Sequence, residues 1–286
     1  MGNTEMTGII PFTYFREPMI QAGSTFLRVD RLTANAPDFE KWIHGKKYDN
    51  LIFQKAYWIE MMKLFDGPMI LDLCDPDWTL AKVDIIEMGN LVHAITCSSK
   101  ELTNLMQGYF SDKIIEHVPD RIDFSIFPKP KEKHDGKAKN IVWFGYVNNA
   151  HETLAQLLPA IKKHDLRLRI IADSPYTQKD EILELQPDFV MYDQNTIYEE
   201  LKKSDIILNP RSDRAFFRYK SNNKSLIAWK LGLPVAATCQ DIDRFINPVE
   251  RSSDAAEKQI LVREYGIEKS AEQYRDIIKR IRERHF

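Results

Sequence analysis

The sequence predicts an α/β protein built from two parallel-sheet domains, and three observations carry that expectation. Short β-rich runs alternate with helical stretches along the whole chain, the pattern required by parallel sheets with helical crossovers. At roughly 150 residues per domain, the 286 residues amount to about two domains. Midway, Phe127-Pro-Lys-Pro-Lys-Glu-Lys-His-Asp-Gly-Lys-Ala-Lys139 combines two prolines, a glycine and dense charge. Such a segment buries little and reads as a surface linker. The expected division is residues 1–128, a linker over 129–139, and residues 140–286.

Elements follow in order from the apolar runs and their spacing. In the first half, strands are expected at Gly8–Phe12, Asn50–Gln54, Met69–Asp72, His93–Thr96 and Ile114–His117, with helices such as Tyr57–Leu64 and Ser99–Tyr109 between them. In the second half, strands fit Asn140–Phe144, Leu168–Ala172, Phe189–Tyr192, Ile206–Leu208 and Val235–Ala237. Helices fit Glu152–Lys163, Thr196–Lys203 and Asn222–Leu231, the last ending at Gly232 in the position just past a helix. Ser270–Arg284 is amphipathic, with Tyr274, Ile277, Ile278 and Ile281 at helical spacing, and reads as a packed C-terminal helix.

Composition narrows the class. Hydrophobic residues make up 43% and charged residues 29%, which excludes disordered and collagen-like chains. A net charge of −2 provides no global basic field for nucleic acid, although a local groove would suffice. Cys74, Cys97 and Cys239 are odd in number and far apart, so neither a disulfide framework nor a CxxC metal clip is available. No apolar run is long enough to span a membrane. The start, MGNTEMTGIIPF, lacks a leader's basic and apolar regions and has Met6 where myristoylation needs Ser or Thr. A cytoplasmic protein is expected.

The most informative stretch runs from Ser204 to Ala237 as strand, polar loop, helix, Gly-Pro turn and strand. Ser221 is placed to cap the helix. The free amides of Ser221, Asn222 and Asn223 then lie between Lys220 and Lys224, with Arg211, Arg214 and Arg218 in the approach loop. Amides, a positive dipole end and cations together suit a phosphate or diphosphate. The competing reading is an ordinary helix cap among solvated lysines. A second loop, Phe144-Gly-Tyr-Val-Asn-Asn-Ala-His-Glu152, follows a strand. Gly145 there allows close backbone approach, and Asn149 with Glu152 resembles a capping box. Ligands of open α/β sheets bind beyond the carboxyl ends of strands, where both loops lie.

In the first half, Leu71-Asp-Leu-Cys-Asp-Pro-Asp-Trp78 ends a strand in aspartates. Asp75-Pro-Asp77 reads either as a metal pair or, more simply, as a turn. Gln54-Lys-Ala-Tyr57 also follows a strand, and Ala22–Arg28 is a polar loop entering a helix. There is no HExxH, GxSxG, GxGxxG or GxxxxGK[ST]. Zinc hydrolysis, serine hydrolysis, dinucleotide cofactors and P-loop chemistry are therefore not expected.

These segments carry a resemblance. Ser204-Asp-Ile-Ile-Leu-Asn-Pro210, Lys220-Ser-Asn-Asn-Lys224 and Leu231-Gly-Leu-Pro-Val-Ala236 resemble the nucleotide-sugar-binding domain of GT-B glycosyltransferases, close to family 4 and the group 1-like enzymes. Val118-Pro-Asp-Arg-Ile-Asp123 with Phe127-Pro128 is similar to the segment joining that family's two domains. The resemblance covers about residues 50–245. The chain departs from it twice. The paired glutamates of the family are absent, with Ile227 at the place of the ribose-binding one, and the Gly-rich loop of the first domain is missing.

The resemblance implies two Rossmann-like domains facing across a cleft, with the C-terminal helix packing back across the boundary. It implies sugar transfer from a nucleotide-diphosphate donor to a hydroxyl acceptor, a glycan, small molecule or modified nucleic acid, with no metal or other cofactor. Lys220, the Ser221–Asn223 amides, Lys224 and Arg211 would stabilise the departing diphosphate. Gly145, Tyr146 and Asn148 would line its other side, and Tyr192 and Asp193 would contact the base. Arg28, Gln54, Lys55 and Tyr57 would meet the acceptor, with Asp75 as acid or base. The missing glutamate leaves an alternative, a catalytically degenerate member that binds a nucleotide sugar or scaffolds a partner.

Overall fold

The computed structural model describes residues 5–15, 23–212 and 215–286. Residues 1–4, Ala22 and Arg214, which entered the sequence reading, lie outside these. Two compact units are present. The first comprises Met1–Asp123, Arg214–Asn222 and Tyr265–Phe286, and the second Phe124–Asp213 and Asn223–Glu264.

The first unit holds a six-stranded parallel sheet of β1 (Thr7–Pro11), β2 (Phe39–Lys41), β3 (Asn50–Gln54), β4 (Met69–Leu73), β5 (Ala94–Cys97) and β6 (Ile114–His117). Its order is β2-β1-β3-β4-β5-β6, so the chain reverses direction across the sheet between β1 and β3. Strands β1, β3, β4 and β5 are buried along their whole length, as expected where helices cover both faces. One face packs Phe53, Leu71, Met88, Leu102 and Met106. The other packs Ile9, Ile52, Ile70 and Ile114 against Tyr274, Ile277, Ile278 and Ile281 of the helix Glu268–His285. That helix therefore completes the first unit's core, although it follows the whole of the second unit in sequence. The return is fastened by Ile122, whose amide donates to Tyr265 O at 2.9 Å and whose carbonyl accepts from Ile267 N at 3.1 Å.

The second unit holds a five-stranded parallel sheet of β7 (Asn140–Gly145), β8 (Arg167–Ala172), β9 (Asp188–Met191), β10 (Ile206–Leu208) and β11 (Val235–Ala236), ordered β11-β10-β7-β8-β9. The chain reverses direction between β7 and β10. Gly232, at φ +71°, ends the helix Asn223–Lys230. Its amide bonds Trp229 O, and that of Leu233 bonds Ala228 O, the paired closure of a left-handed helix stop.

Four expectations need correction. The units do not divide linearly: the C-terminal helix, assigned with residues 140–286, belongs to the first unit, as do Arg214–Asn222. The 129–139 segment is packed into the second unit and is not a free linker. His134 and Ala138 are 5% and 4% exposed, Lys131 N bonds Leu231 O, and Gly136 O accepts from the buried Arg251. The helix expected from Glu152 begins at Asn148, with no side-chain cap, so Asn149 and Glu152 form no capping box. A capping box stands instead at Thr238 and Asp241. Ser221 lies two residues before the helix that starts at Asn223, and its hydroxyl donates to Asp120 Oδ2 at 2.5 Å.

Candidate functional site

The switch point of each sheet is where loops diverge and a ligand finds room beyond the strand ends. In the second unit that point lies between β7 and β10. Gly145 closes β7 at φ +146°, and a Cβ built there would meet Lys224 Nζ at 2.9 Å. Glycine suits that backbone, and any larger residue there would also oblige the lysine tip to shift. The Lys224 ammonium is held over the Trp143 ring, 4.5 Å from its centroid, and 5.3 Å from that of Phe144. Val147 N donates to Asp173 Oδ1 at 2.8 Å, tying the loop after β7 to the loop after β8. After β10, the Arg211 carbonyl accepts from Gln156 Nε2 at 3.1 Å.

Tyr146 in the loop after β7 and Asn148 at the start of the following helix are exposed, as is Asp193 after β9. Tyr192 OH donates to Gln194 Oε1 at 2.5 Å, and burial first, then Tyr146 and Asp193, push its phenol up to about 12. The second unit thus gathers Gly145, Tyr146, Asn148, Tyr192, Asp193, Arg211, Asn223 and Lys224 at the carboxyl ends of β7, β9 and β10. The remaining members of the predicted phosphate turn, Lys220, Ser221 and Asn222, are counted with the first unit. Lys220 Nζ lies 4.6 Å and 5.1 Å from the ring centroids of Phe217 and Phe216. The Tyr219 carbonyl just before it accepts from Ser99 Oγ at 2.8 Å.

In the first unit, the loops after β1, β3 and β4 converge. Lys55 Nζ lies 3.1 Å from Asp75 Oδ2, 3.0 Å from Asp77 Oδ2 and 5.1 Å from the Phe12 ring centroid. Burial alone would lower the Lys55 pKa, but the two carboxylates outweigh it and raise it. Tyr57 OH donates to Asp77 Oδ1 at 2.5 Å. Burial pushes the Tyr57 phenol far up and Asp77 up as well, Lys55 opposing the latter. Gln54 is buried, accepting from Thr25 Oγ1 at 3.2 Å and donating to Cys74 Sγ at 3.4 Å. Burial raises the thiols of Cys74 and Cys97, so neither is an activated nucleophile.

Arg28 is not an acceptor-facing residue. It is 6% exposed, and its five N–H groups are all engaged. Nε and Nη2 grip Asp72 at 2.8 and 2.6 Å, Nη1 reaches Val118 O and Asp120 Oδ1 at 2.8 and 3.0 Å, and Nη2 reaches Tyr274 OH at 3.1 Å. Thr96 Oγ1 and Tyr274 OH also donate to Asp72 Oδ1. Burial alone would lower the arginine pKa, yet Asp72 reverses this and holds it raised. The sequence does carry a signal for this network. Asp72 stands inside an apolar strand buried on both faces, where a carboxylate requires a countercharge.

Two surface hollows of about 230 and 300 Å³ lie at the amino ends of first-unit strands, beside His93 and Lys113 and beside Asp38 and Arg275. Among the described residues, no group of three or more His, Cys, Asp or Glu side chains is placed to hold a metal ion. No described helix is long and apolar enough to cross a membrane.

No family model matches the sequence, and no curated protein does either. Solved structures do resemble it. TarM superposes with a TM-score of 0.62 at 12% identity, over 93% of this chain and 57% of its own. Sucrose-phosphate synthase from Thermosynechococcus elongatus gives 0.64 at 11% identity, over 82% of this chain and 74% of its own. Anabaena HepE in complex with UDP-glucose gives 0.62 at 8% identity, over 96% and 99%. The chain thus spans little more than half the length of TarM. At these identities the likeness is one of fold, and the fold is GT-B.

Proposed function

We propose that this protein transfers a sugar from a nucleotide-diphosphate donor to a hydroxyl acceptor, with no metal taking part. The observation that carries the reading is Lys224 Nζ against Gly145 at the second sheet's switch point. As the glycosidic bond breaks, negative charge grows on the departing diphosphate. Preorganised cations and amides aimed at that charge are often the largest catalytic term, a single donor contributing roughly 3–4 kcal/mol. Lys224, the amides that open the helix at Asn223, Lys220 and Arg211 supply such groups. Gly145, Tyr146 and Asn148 line the opposite side of the diphosphate, and Tyr192 with Asp193 meets the base. The UDP-glucose held by HepE makes UDP-glucose the first donor to test.

On the first unit, Gln54, Lys55, Tyr57 and Asp75 meet the acceptor, and Asp75 accepts its proton. The acceptor is a glycan, a small molecule or a modified nucleic acid. A cytoplasmic location fits this reading, because three unpaired cysteines suit a reducing compartment. A second reading rests on Ile227, which packs against the apolar cluster of Ala228 and Leu231 at the place where the resembled family carries its ribose-binding glutamate. In that reading the protein binds a nucleotide sugar, or scaffolds a partner, without turnover.

A thermal-shift screen of nucleoside diphosphates and nucleotide sugars, followed by donor hydrolysis, separates these readings. A ligand at 100 times its Kd adds about 2.7 kcal/mol of stability. Protection with slow release of nucleoside diphosphate supports the transferase. Protection without turnover over a broad acceptor panel supports the binder, and equal protection by nucleoside and nucleoside diphosphate sinks the diphosphate site.

A further inference from the structure

Four rings gather at the carboxyl ends of three adjacent strands of the first sheet. Tyr14 follows β1, Trp42 and His44 follow β2, and Trp58 follows β3. Tyr14 and Trp42 meet edge-on at 5.2 Å between centroids, as do Trp42 and Trp58 at 5.5 Å and Trp42 and His44 at 5.7 Å. Tyr14 and Trp58 lie nearly parallel, 19° apart at 6.1 Å. Trp42 is buried beneath them, whereas Tyr14 is 43% exposed and Trp58 is partly so. Two outer rings on a buried third form a rigid surface that gives up little entropy on binding.

Polar groups on the loops after β3 and β4 stand at the same carboxyl edge of this sheet, two carboxylates with one ammonium between them. Tyr57 precedes Trp58, and its hydroxyl engages Asp77. Lys55, beneath Phe12, is shared between Asp77 and Asp75. Asp75 Oδ1 receives no hydrogen bond among the described residues, and the side chain is 21% exposed. Flat apolar faces next to acceptor oxygens match a pyranose ring, one side of which presents C–H groups while its rim presents hydroxyl donors. Ligand sites combine aromatic lining with a few placed polar groups in this manner, and C–H contacts to the rings add to the apolar burial.

We propose that Tyr14 and Trp58 form a stacking platform for a pyranose ring of a carbohydrate acceptor, with Asp75 accepting from its hydroxyls. The proposal rests on the transferase reading and names its acceptor class. A nucleic-acid acceptor would also stack its bases. However, its phosphates need cations, and here two carboxylates share one ammonium. The platform is assigned to the acceptor because every residue in it belongs to the first unit, whereas Gly145 and Lys224, assigned to the donor, belong to the second.

The test is binding to the full chain without donor, read by tryptophan emission and calorimetry. Cellotetraose, maltotetraose and chitotetraose are compared with a single-stranded oligodeoxynucleotide. At least one oligosaccharide should bind, and Tyr14→Ala should weaken it about tenfold without moving the melting temperature or the Kd for uridine diphosphate. Trp58→Phe, which keeps a ring at the site, should lose less than Trp58→Ala. Binding by no oligosaccharide, equal binding by Tyr14→Ala, or binding by the oligodeoxynucleotide alone overturns the platform. Oligosaccharide binding with no donor turnover would keep the platform and reject the transferase.

Discussion

Lys224 Nζ stands where a side chain on Gly145 would begin, 2.9 Å from the position of a Cβ. Gly145→Ala therefore does two things at once. It forces a side chain into a backbone at φ +146°, at a cost of about 1–3 kcal/mol, and it obliges the Lys224 ammonium to shift from its position over Trp143. The expected outcome is a modest fall in melting temperature and a tenfold or larger rise in the Kd for a nucleoside diphosphate. Gly145→Ala binding the diphosphate as tightly as wild type would show that Lys224 does not read phosphate there.

Arg28 separates structure from acceptor chemistry. Replacing it with Met leaves Asp72 and Asp120 buried with no countercharge, and breaking a buried pair in this way costs about 3–5 kcal/mol. Arg28→Lys should rescue little, since one ammonium cannot replace the planar five-donor fork. Urea unfolding of the three proteins checks this. Wild-type stability in Arg28→Met would contradict the network.

How much of this was legible beforehand depended on burial. Asn50–Gln54 and Ile206–Leu208 stand where the apolar runs placed them, because strands buried on both faces read as unbroken hydrophobic stretches. Phe39–Lys41 was missed: only Phe39 of that edge strand is buried, so no run marks it. The charges of 129–139 hid the burial of His134 and Ala138, since composition reports what a segment contains and not which side chains turn inward. Arg28, assigned to the acceptor from its place at the end of a polar loop, gives no sign of its burial, since an arginine so placed is usually exposed. The donor loops were legible through Gly145 and Lys220–Lys224, which need special backbone or dense charge. The ring platform was not, because its members come from three strands and meet only in the fold.

Asp205 predicts a pH dependence. Burial alone would raise its pKa, but the amides of Lys139 and Asn140 and the Lys131 ammonium together hold it lowered. A lowered folded pKa means that the unfolded chain takes up the proton first as pH falls. The contribution is therefore complete above the unfolded carboxylate value of about 3.9 and is lost below it. Asp205→Ala should be about 1.5–3 kcal/mol less stable than wild type at neutral pH, with the gap narrowing in acid beneath that value. Melting curves across pH decide it, and a constant gap would mean that the carboxylate's charge contributes nothing.

Catalysis should survive EDTA. Lys55 places its ammonium 3.1 and 3.0 Å from Asp75 and Asp77, the seat that a divalent ion bridging the pair would need. Donor consumption at unchanged rate in chelator is the expected result. Complete loss, restored by magnesium or manganese, would turn Asp75-Pro-Asp77 into a metal site.

Lys220→Ala should cost far more rate than stability. Its ammonium lies over the rings of Phe216 and Phe217, and a cation over a ring at a partly exposed site contributes about 0.5–1 kcal/mol. Loss of the ring contacts should therefore cost about 1 kcal/mol of stability. Beside a leaving diphosphate, the same charge lowers the barrier by roughly 3 kcal/mol, about a hundredfold in rate. A lysine that only covers the two phenylalanines predicts the small stability loss and no change in rate. The mutant's melting temperature set against its donor consumption separates the two. Wild-type turnover would leave Lys220 as a lid on Phe216 and Phe217, and Lys224 as the diphosphate's principal cation.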